Sequence, residues 1–205
     1  MKKADYSSFA KEHKNMLCKR RVIPVVLNAF GGPGAGKSTA CMDICSSLKK
    51  QGYNAEYVQE YAKELVYRNR LDLLDGSEEH QFHILKEQMR RVDMLFNGNV
   101  DFIVTDSPIL LSAIYDRELS KEYCDMLLEI HNQYPNFCFF INRDNKAFET
   151  EGRIHNFKES IEKDREIKKF LNSNNVYFGN YYHKTTEKVI ENAITTFNRL
   201  NAIST

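Results

Sequence analysis

The sequence predicts an α/β protein in three layers, with a mostly parallel five-stranded sheet covered by helices on both faces. Apolar runs alternate with helical patterns along all 205 residues, which is typical of strands buried between two helical layers. The composition, 42% hydrophobic and 28% charged, is that of an ordinary domain with a full core. We expect residues 1–205 to form a single domain, with an N-terminal extension over 1–21 and a small lid at about 143–165.

The first part of the chain predicts two strands, each followed by a helix. Residues 22–30 are nearly all apolar, as in a strand buried on both faces. A glycine-rich turn follows, and then a helix over about 37–50 that Gly52 ends. Residues 55–59 predict the second strand, and 61–70 predict a helix.

A longer helix precedes the third strand. Ser77 is a typical N-cap, and the acidic Glu78 and Glu79 follow it in the first turn, where the helix dipole favours negative charge. The third strand, 102–105, leads directly into Asp106. The apolar residues of the helix recur at helical spacing: Phe82, Leu85, Met89, Val92 and Leu95.

The second half predicts two further strands and the last helix. Pro108 suits the first turn of one helix, and Ser120 caps another that runs to about residue 133. Residues 137–142 predict the fourth strand and 176–178 a short fifth one. Between them, the charged segment 143–163 is expected to form a loop or lid and the start of a helix. The last helix carries Val189, Ile190, Ala193, Ile194 and Phe197.

The turn at 31–38 carries the clearest chemical signal. Its sequence, GGPGAGKS, is a Walker A pattern placed between a strand and a helix, and it predicts a P-loop NTPase fold. Glycines allow backbone N–H groups to converge on phosphates, and the helix N-terminus adds partial positive charge. We expect Lys37 to reach the β- and γ-phosphates of ATP and Ser38 to hold Mg²⁺. The predicted nucleotide-binding residues are Gly31, Gly32, Gly34, Ala35, Gly36, Lys37, Ser38 and Thr39.

Two carboxylates are expected beside this turn, at the carboxyl edge of the sheet where ligands bind. Asp106 follows the third strand and is the predicted Mg²⁺ ligand, although it could also cap a helix before Pro108. Glu60 follows the second strand and is the predicted acceptor-binding residue or general base. Glu64, one turn later, is the alternative, and a solvated surface role for Glu60 stays open.

Basic and amide side chains complete the predicted site. Phosphoryl transfer gains from cations that close over the developing charge, and Arg153, which follows Gly152 in the presumed lid, is the first candidate. Arg165 is the second, although a solvated charged face explains either arginine equally well. Gln88 and Arg91, on or near the polar side of the long helix, could read a base or a ribose, or could be plain surface residues.

Composition bounds the remaining alternatives. The formal net charge of +1 lacks the basic excess of many nucleic-acid binders, and no cysteine pair has zinc-ligand spacing. No apolar run approaches the ~20 residues of a membrane helix or resembles a signal peptide, so we expect no membrane association and a cytoplasmic protein. Abundant Asn, Lys, Ile, Phe and Tyr are typical of AT-rich coding DNA and hint at a phage or an AT-rich bacterium.

These motifs together resemble the AAA-type ATPase and kinase group that includes the ribosylnicotinamide kinase domain of NadR, over about residues 22–195. The resemblance implies ATP-dependent phosphorylation of a nucleoside-like hydroxyl. It would place Asp106 at Mg²⁺, Glu60 near the acceptor and Arg153 over the phosphates. The matching elements are the Walker A turn, Glu60-Tyr61-Ala62-Lys63-Glu64, Gln88, Thr105-Asp106-Ser107 and Glu151-Gly152-Arg153.

Three functions remain open at this point. The first is an ATP-dependent kinase of a nucleoside, a nucleotide or a related small-molecule hydroxyl acceptor. The second is a kinase of nucleic acid, acting on a 5′ end or on a modified base in phage DNA. The third is a P-loop ATPase or regulator without kinase activity, in which ATP binding switches a partner surface.

Overall fold

A computed structural model describes residues 5–17, 22–143, 157–182 and 185–202. Its sheet confirms the predicted α/β class: five strands, all paired in parallel, lie in the order β2-β3-β1-β4-β5. The strands are β1 (Val25–Phe30), β2 (Ala55–Val58), β3 (Phe102–Thr105), β4 (Asn136–Asn142) and β5 (Gly179–Tyr182).

Helices cover both faces of this sheet. The helices of the described residues are α1 (Tyr6–Met16), α2 (Lys37–Lys50), α3 (Tyr61–Tyr67), α4 (Glu78–Phe96), α5 (Ser112–Tyr115), α6 (Lys121–His131), α7 (Phe157–Ser173) and α8 (Thr186–Ala202). None of them combines the length and the apolar content that crossing a membrane requires. The central strand β1 shows the layering, because Val25, Leu27 and Ala29 pack with α2 and α8, whereas Val26 and Phe30 pack with the helices of the opposite face.

The N-terminal segment, predicted as an extension, contains a helix that contributes to the core. Tyr6 and Ala10 are buried in the same apolar cluster as α4 and α6. His13, on the same face, is 1% exposed and lies 3.0 Å from an Asp93 carboxylate oxygen. Burial lowers the pKa of His13, but the hydrogen bond and the charge of Asp93 outweigh it and raise the pKa above its ordinary value. Helix α1 is therefore amphipathic and packs by its apolar face. The mixed charge of the segment makes this face hard to recognise in the sequence.

Several element predictions were wrong in their bounds. The fifth strand begins at Gly179, not at 176, because Asn175 takes a left-handed φ of 56° and the Val176 N–H still caps α7 by bonding Leu171 O. The helix predicted over 61–70 ends at Tyr67, and Asn69 takes a φ of 55° just beyond it. The helix predicted after Pro108 is only a 3₁₀ turn followed by the four-residue α5.

The predicted lid lies mostly outside the described residues. Of the segment 143–165, the structure describes Arg143 and the residues from 157 onward, and the latter belong to α7. Arg153 therefore lies outside the described residues.

Candidate phosphate and acceptor site

The glycine-rich turn lies at the carboxyl edge of the sheet, between β1 and α2. Because β1 is flanked by β3 and β4, the residues that follow these two strands, Asp106 and Arg143, lie on either side of the turn. This is the edge at which parallel α/β sheets bind ligands. The strand order therefore brings together a carboxylate, a guanidinium and a row of backbone amides.

The backbone of the turn uses conformations that suit glycine. Gly34 and Gly36 have φ values of 79° and 88°, in the left-handed region that side chains disfavour. Gly36 is the N-cap of α2 and has no side chain to cap the helix, so the first N–H groups of α2 rely on other partners. Such an uncapped helix start is a ready anion site.

Lys37 lies across the turn. Its ammonium donates to the carbonyl oxygens of Gly31 at 2.8 Å and of Gly32 at 3.3 Å. These contacts keep the positive charge against the backbone that is predicted to bind phosphates. A bound phosphate could replace the two carbonyls as a stronger, charged acceptor.

Asp106 is the centre of the polar network beside the turn, and it is only 1% exposed. Its Oδ2 accepts hydrogen bonds from the Ser38 hydroxyl and, at 2.7 Å, from the Tyr57 hydroxyl. Its Oδ1 accepts the Glu60 backbone N–H at 3.0 Å. Burial and the neighbouring Asp106 charge raise the pKa of Tyr57, so the phenol stays protonated and can donate. Asp106 thus joins α2, β2 and the start of α3, and it does not cap a helix before Pro108.

This arrangement fits a Mg²⁺ ion whose ligands come partly from the protein and partly from a bound nucleotide. Ser38 and Asp106 offer a hydroxyl and a carboxylate oxygen within hydrogen-bond distance of each other. Mg²⁺ typically takes one or two protein oxygens and completes its shell with water and phosphate. Among the residues that the structure describes, no three His, Cys, Asp or Glu side chains cluster as a protein cage for a metal would require.

Glu60 occupies the turn between β2 and α3, where its side chain is partly buried. This turn is held from beneath by Gln88, whose Oε1 accepts the Tyr61 N–H at 3.1 Å and whose Nε2 lies 3.4 Å from both Gln59 O and Thr105 Oγ1. The expectation that Gln88 lies on or near the polar side of its helix was wrong, because Gln88 is 2% exposed. Its amide is used to support the turn that presents Glu60.

Arg91 braces α3 against α4. Its guanidinium donates to Glu64 at 2.5 Å and to Glu87 at 2.9 Å, and it lies 5.0 Å from the centre of the Tyr61 ring. Hydrogen bonds from Arg90 and Arg91 lower the pKa of Glu87 to about 2. The hydrogen bond from Arg91 also lowers the pKa of Glu64, which makes Glu64 a poorer base than its position suggested.

Two tyrosines on the flanks of the site were missed by the sequence reasoning. Tyr57 and its neighbour Glu56 are both half-buried in the four-residue edge strand β2, and nothing in that short pattern marks the bond of Tyr57 to Asp106. Tyr115, at the end of α5, is half-buried; burial and the nearby charges of Glu60 and Asp164 raise its pKa. Tyr115 therefore lies where the acceptor side of the site meets α7.

Of the two arginines predicted to close over the phosphates, Arg165 lies among the described residues and Arg153 does not. Arg165 is exposed on α7. The arginine found at the turn is Arg143, whose Nη2 donates to the Pro33 carbonyl at 2.9 Å. Its position directly after the fourth strand was the signal in the sequence that could have ranked it above Arg165.

Comparisons with known proteins bear on the family and on the fold. The profile of the AAA domain family matches residues 26–188. A deoxyadenosine kinase from M. mycoides, solved with bound dATP, has 20% identity and a TM-score of 0.51, covering 84% of this chain and 99% of that chain. A gluconokinase from Sinorhizobium meliloti 1021 has 14% identity and a TM-score of 0.48, covering 90% and 96%. At 20% identity, the match to the deoxyadenosine kinase shows a shared fold. The comparison with curated proteins found no match.

Proposed function

This chain belongs to the AAA domain family, and we propose that it is an ATP-dependent kinase that transfers the γ-phosphoryl group to the hydroxyl of a small molecule. The acceptor class we propose is a nucleoside, a nucleotide or a related metabolite. The observation that carries the proposal is that Asp106 joins the phosphate-binding turn, through Ser38, to the backbone of Glu60. One buried carboxylate thereby ties the nucleotide side of the site to the acceptor side.

The residues of the chain divide the chemistry between them. Backbone amides of 34–38 and the Lys37 ammonium would bind and neutralise the β- and γ-phosphates. Ser38 and Asp106 would hold Mg²⁺, which when bound neutralises phosphate charge and orients the γ-phosphoryl group. Glu60 would accept the proton of the acceptor hydroxyl. At the same time the acceptor oxygen bonds to the γ-phosphorus, and the bond between that phosphorus and the departing ADP oxygen breaks.

The positioning groups follow from the same geometry. Gln88 supports the Glu60 turn, and Arg91 fixes α3 beside it. Arg153 stays our first candidate for a cation that closes over the phosphates, and Arg165 our second, in a single domain whose lid includes 143–165. The fold shared with the M. mycoides deoxyadenosine kinase is compatible with this proposal.

No specific observation favours a kinase of nucleic acid or a regulator without kinase activity. Arg90 and Arg91, adjacent cations on α4 that a nucleic acid could contact, are paired with Glu87. Lys168 donates to Asn142 Oδ1 at 2.8 Å. These cations already have protein partners, so the described residues give no particular support to a nucleic acid as the acceptor.

The test is a panel of nucleosides and nucleotides incubated with Mg-ATP and scored for phosphorylated product. We expect Glu60→Gln and Asp106→Asn to lower transfer by about 100-fold or more while each variant still binds ATP. Glu56→Gln is the matched control, because Glu56 is a half-exposed acid of β2 that pairs with Lys49 of α2. Full transfer by Glu60→Gln would remove the general-base assignment. ATP turnover that no acceptor stimulates would overturn the kinase proposal in favour of a regulator.

A further inference from the structure

The phosphate-binding turn is held from outside by α7. The Gly32 N–H donates to Asp164 Oδ1 at 2.5 Å, although Asp164 lies 132 residues further along the chain. The other oxygen of the same carboxylate accepts Arg143 Nε at 2.6 Å. The side chains of Arg143 and Asp164 are 14% and 16% exposed, so this ion pair is largely shielded from water. Such a pair is weakened far less by salt than a surface pair.

A second contact joins the same groups to the next residue of the turn. The Pro33 carbonyl accepts Arg143 Nη2 at 2.9 Å and also the Ser160 hydroxyl. Ser160 is fully buried, and its hydroxyl lies within hydrogen-bond distance of Arg143 as well. The first half of the turn, Gly32 and Pro33, is therefore bound by protein groups. The second half, 34–38, contains the amides that would face the phosphates.

Helix α7 is a rigid support for these contacts. Ile167 and Leu171 are 1% and 0% exposed and pack in the main apolar cluster. Lys163 donates to the Ile114 carbonyl at 3.1 Å, which ties the helix to α5. A glycine-rich turn has more conformational freedom to lose than any other backbone. Because α7 already restrains the turn, less conformational entropy is lost when the turn binds its ligand.

The negative charge of Asp164 must be neutralised if the turn is to bind phosphate, and Arg143 supplies the cation. A carboxylate beside an anion-binding turn repels phosphate, and in a shielded site that repulsion is larger than in water. Arg143 cancels this charge while its guanidinium fork reaches both Asp164 and Pro33, a geometry that lysine cannot reproduce. The arrangement therefore has two separable parts: an acceptor for the Gly32 amide and a neutralising cation.

We propose that Arg143 and Asp164 are a positioning pair for nucleotide binding: Asp164 fixes the Gly32 amide, and Arg143 fixes Pro33 and neutralises Asp164. The proposal rests on the proposed function, because it assumes that the turn binds Mg-ATP. It differs from a purely structural ion pair in one measurable respect. Removing the cation alone leaves a negative charge beside the phosphates, and removing both charges does not.

A double-mutant cycle on Mg-ATP binding, measured by calorimetry with the full chain, tests this difference. We expect Arg143→Met to weaken binding by roughly 10- to 100-fold, the effect of losing a charge-assisted contact and exposing a like charge. Arg143→Met combined with Asp164→Asn should bind Mg-ATP more tightly than Arg143→Met alone. We expect Glu162→Gln, which removes an exposed acid from the same helix, to bind like the wild type.

A second comparison works even where Arg143→Met does not fold. Asp164→Asn keeps an oxygen for the Gly32 N–H, and Asp164→Ala does not, so the asparagine variant should bind Mg-ATP several-fold more tightly. In the transfer assay, the loss in Asp164→Ala should appear in KM for ATP more than in kcat. Equal affinities of the two Asp164 variants, or a double variant that binds no better than Arg143→Met, would overturn the pair alone. A wild-type chain that binds no Mg-ATP would overturn the proposed function together with it.

Discussion

Replacing Gly32 with alanine tests how closely α7 packs on the phosphate-binding turn. Gly32 is not among the glycines with a left-handed φ, so its backbone accommodates alanine and the substitution adds only a methyl group. That carbon would lie 2.5 Å from the Ser160 carbonyl oxygen and 2.9 Å from Asp164 Oδ1. The Ser160 oxygen belongs to a helix backbone, which cannot swing aside as a flexible side chain can.

The expected magnitude follows from the distance. Cβ atoms essentially never approach another heavy atom closer than 3.0 Å, so the turn or α7 must move by at least about half an ångström. Overpacking of this kind typically costs about 1–3 kcal/mol. For a chain of this length, each kcal/mol lowers Tm by roughly 2–4 °C, so a loss of about 2 kcal/mol lowers Tm by roughly 4–8 °C. The same movement lengthens the Gly32 to Asp164 hydrogen bond, and we expect weaker Mg-ATP binding.

The assay is thermal unfolding followed by circular dichroism, with and without Mg-ATP. Gly98→Ala is the matched control, because Gly98 also lacks a left-handed φ and its added methyl would come no closer than 3.2 Å to the Leu95 oxygen. The control should unfold within about 2 °C of the wild type. A Gly32→Ala variant with the same Tm and the same Mg-ATP affinity as the wild type would show that α7 does not pack on the turn as described.

Two further predictions concern stability away from the site. Burial lowers the pKa of His131 to about 4. As pH falls from about 6.5 to 4, His131 is therefore protonated in the unfolded chain but stays neutral in the folded chain. The free energy of unfolding should fall by about 3 kcal/mol over that window. In His131→Gln, measured by urea titration at each pH, most of this dependence on pH should be lost. The same dependence in the variant and the wild type would contradict the assignment to His131. Ser112→Ala removes the 2.7 Å partner of the buried Tyr123 hydroxyl and should cost about 1–3 kcal/mol. Adding Tyr123→Phe should recover part of that cost, and a second loss of equal size would argue against the hydrogen bond.

The elements that local chemistry marks were predicted well. Helix α2 spans the predicted 37–50 because a Walker A turn precedes it and Gly52 follows it. Strand β3 spans the predicted 102–105 because three apolar residues and Thr105 lead directly into the charged Asp106. The fifth strand was misplaced for a related reason. β5 is an edge strand whose residues alternate between half-buried and exposed, so the apolar run 176–178 gave a stronger signal than the strand itself. Apolar periodicity identifies central strands and loses accuracy at the edges of a sheet.

Two positions of the site were predictable because their residues follow strands. Asp106 and Glu60 were placed at the carboxyl edge by their positions alone, and the structure has both there, joined by a hydrogen bond between the Glu60 N–H and Asp106. Their catalytic roles stay predictions. Gln88 was misplaced because a polar residue on an amphipathic helix normally faces water. Here the Tyr61 N–H and the Gln59 carbonyl, on either side of Glu60, give a buried amide its partners.

The contacts that could not be predicted depend on strand order, which no local pattern contains. A sequence shows that Asp106 and Arg143 each follow a strand, and it does not show that β1 lies between those two strands. That order gives the phosphate-binding turn two different sides. On the β3 side, Asp106 and the Ser38 hydroxyl present oxygens suited to a cation. On the β4 side, Arg143 supplies the cation and Asp164 is neutralised by it. We therefore expect charge changes on the β3 side to alter Mg²⁺ dependence, and those on the β4 side to alter nucleotide affinity at saturating Mg²⁺.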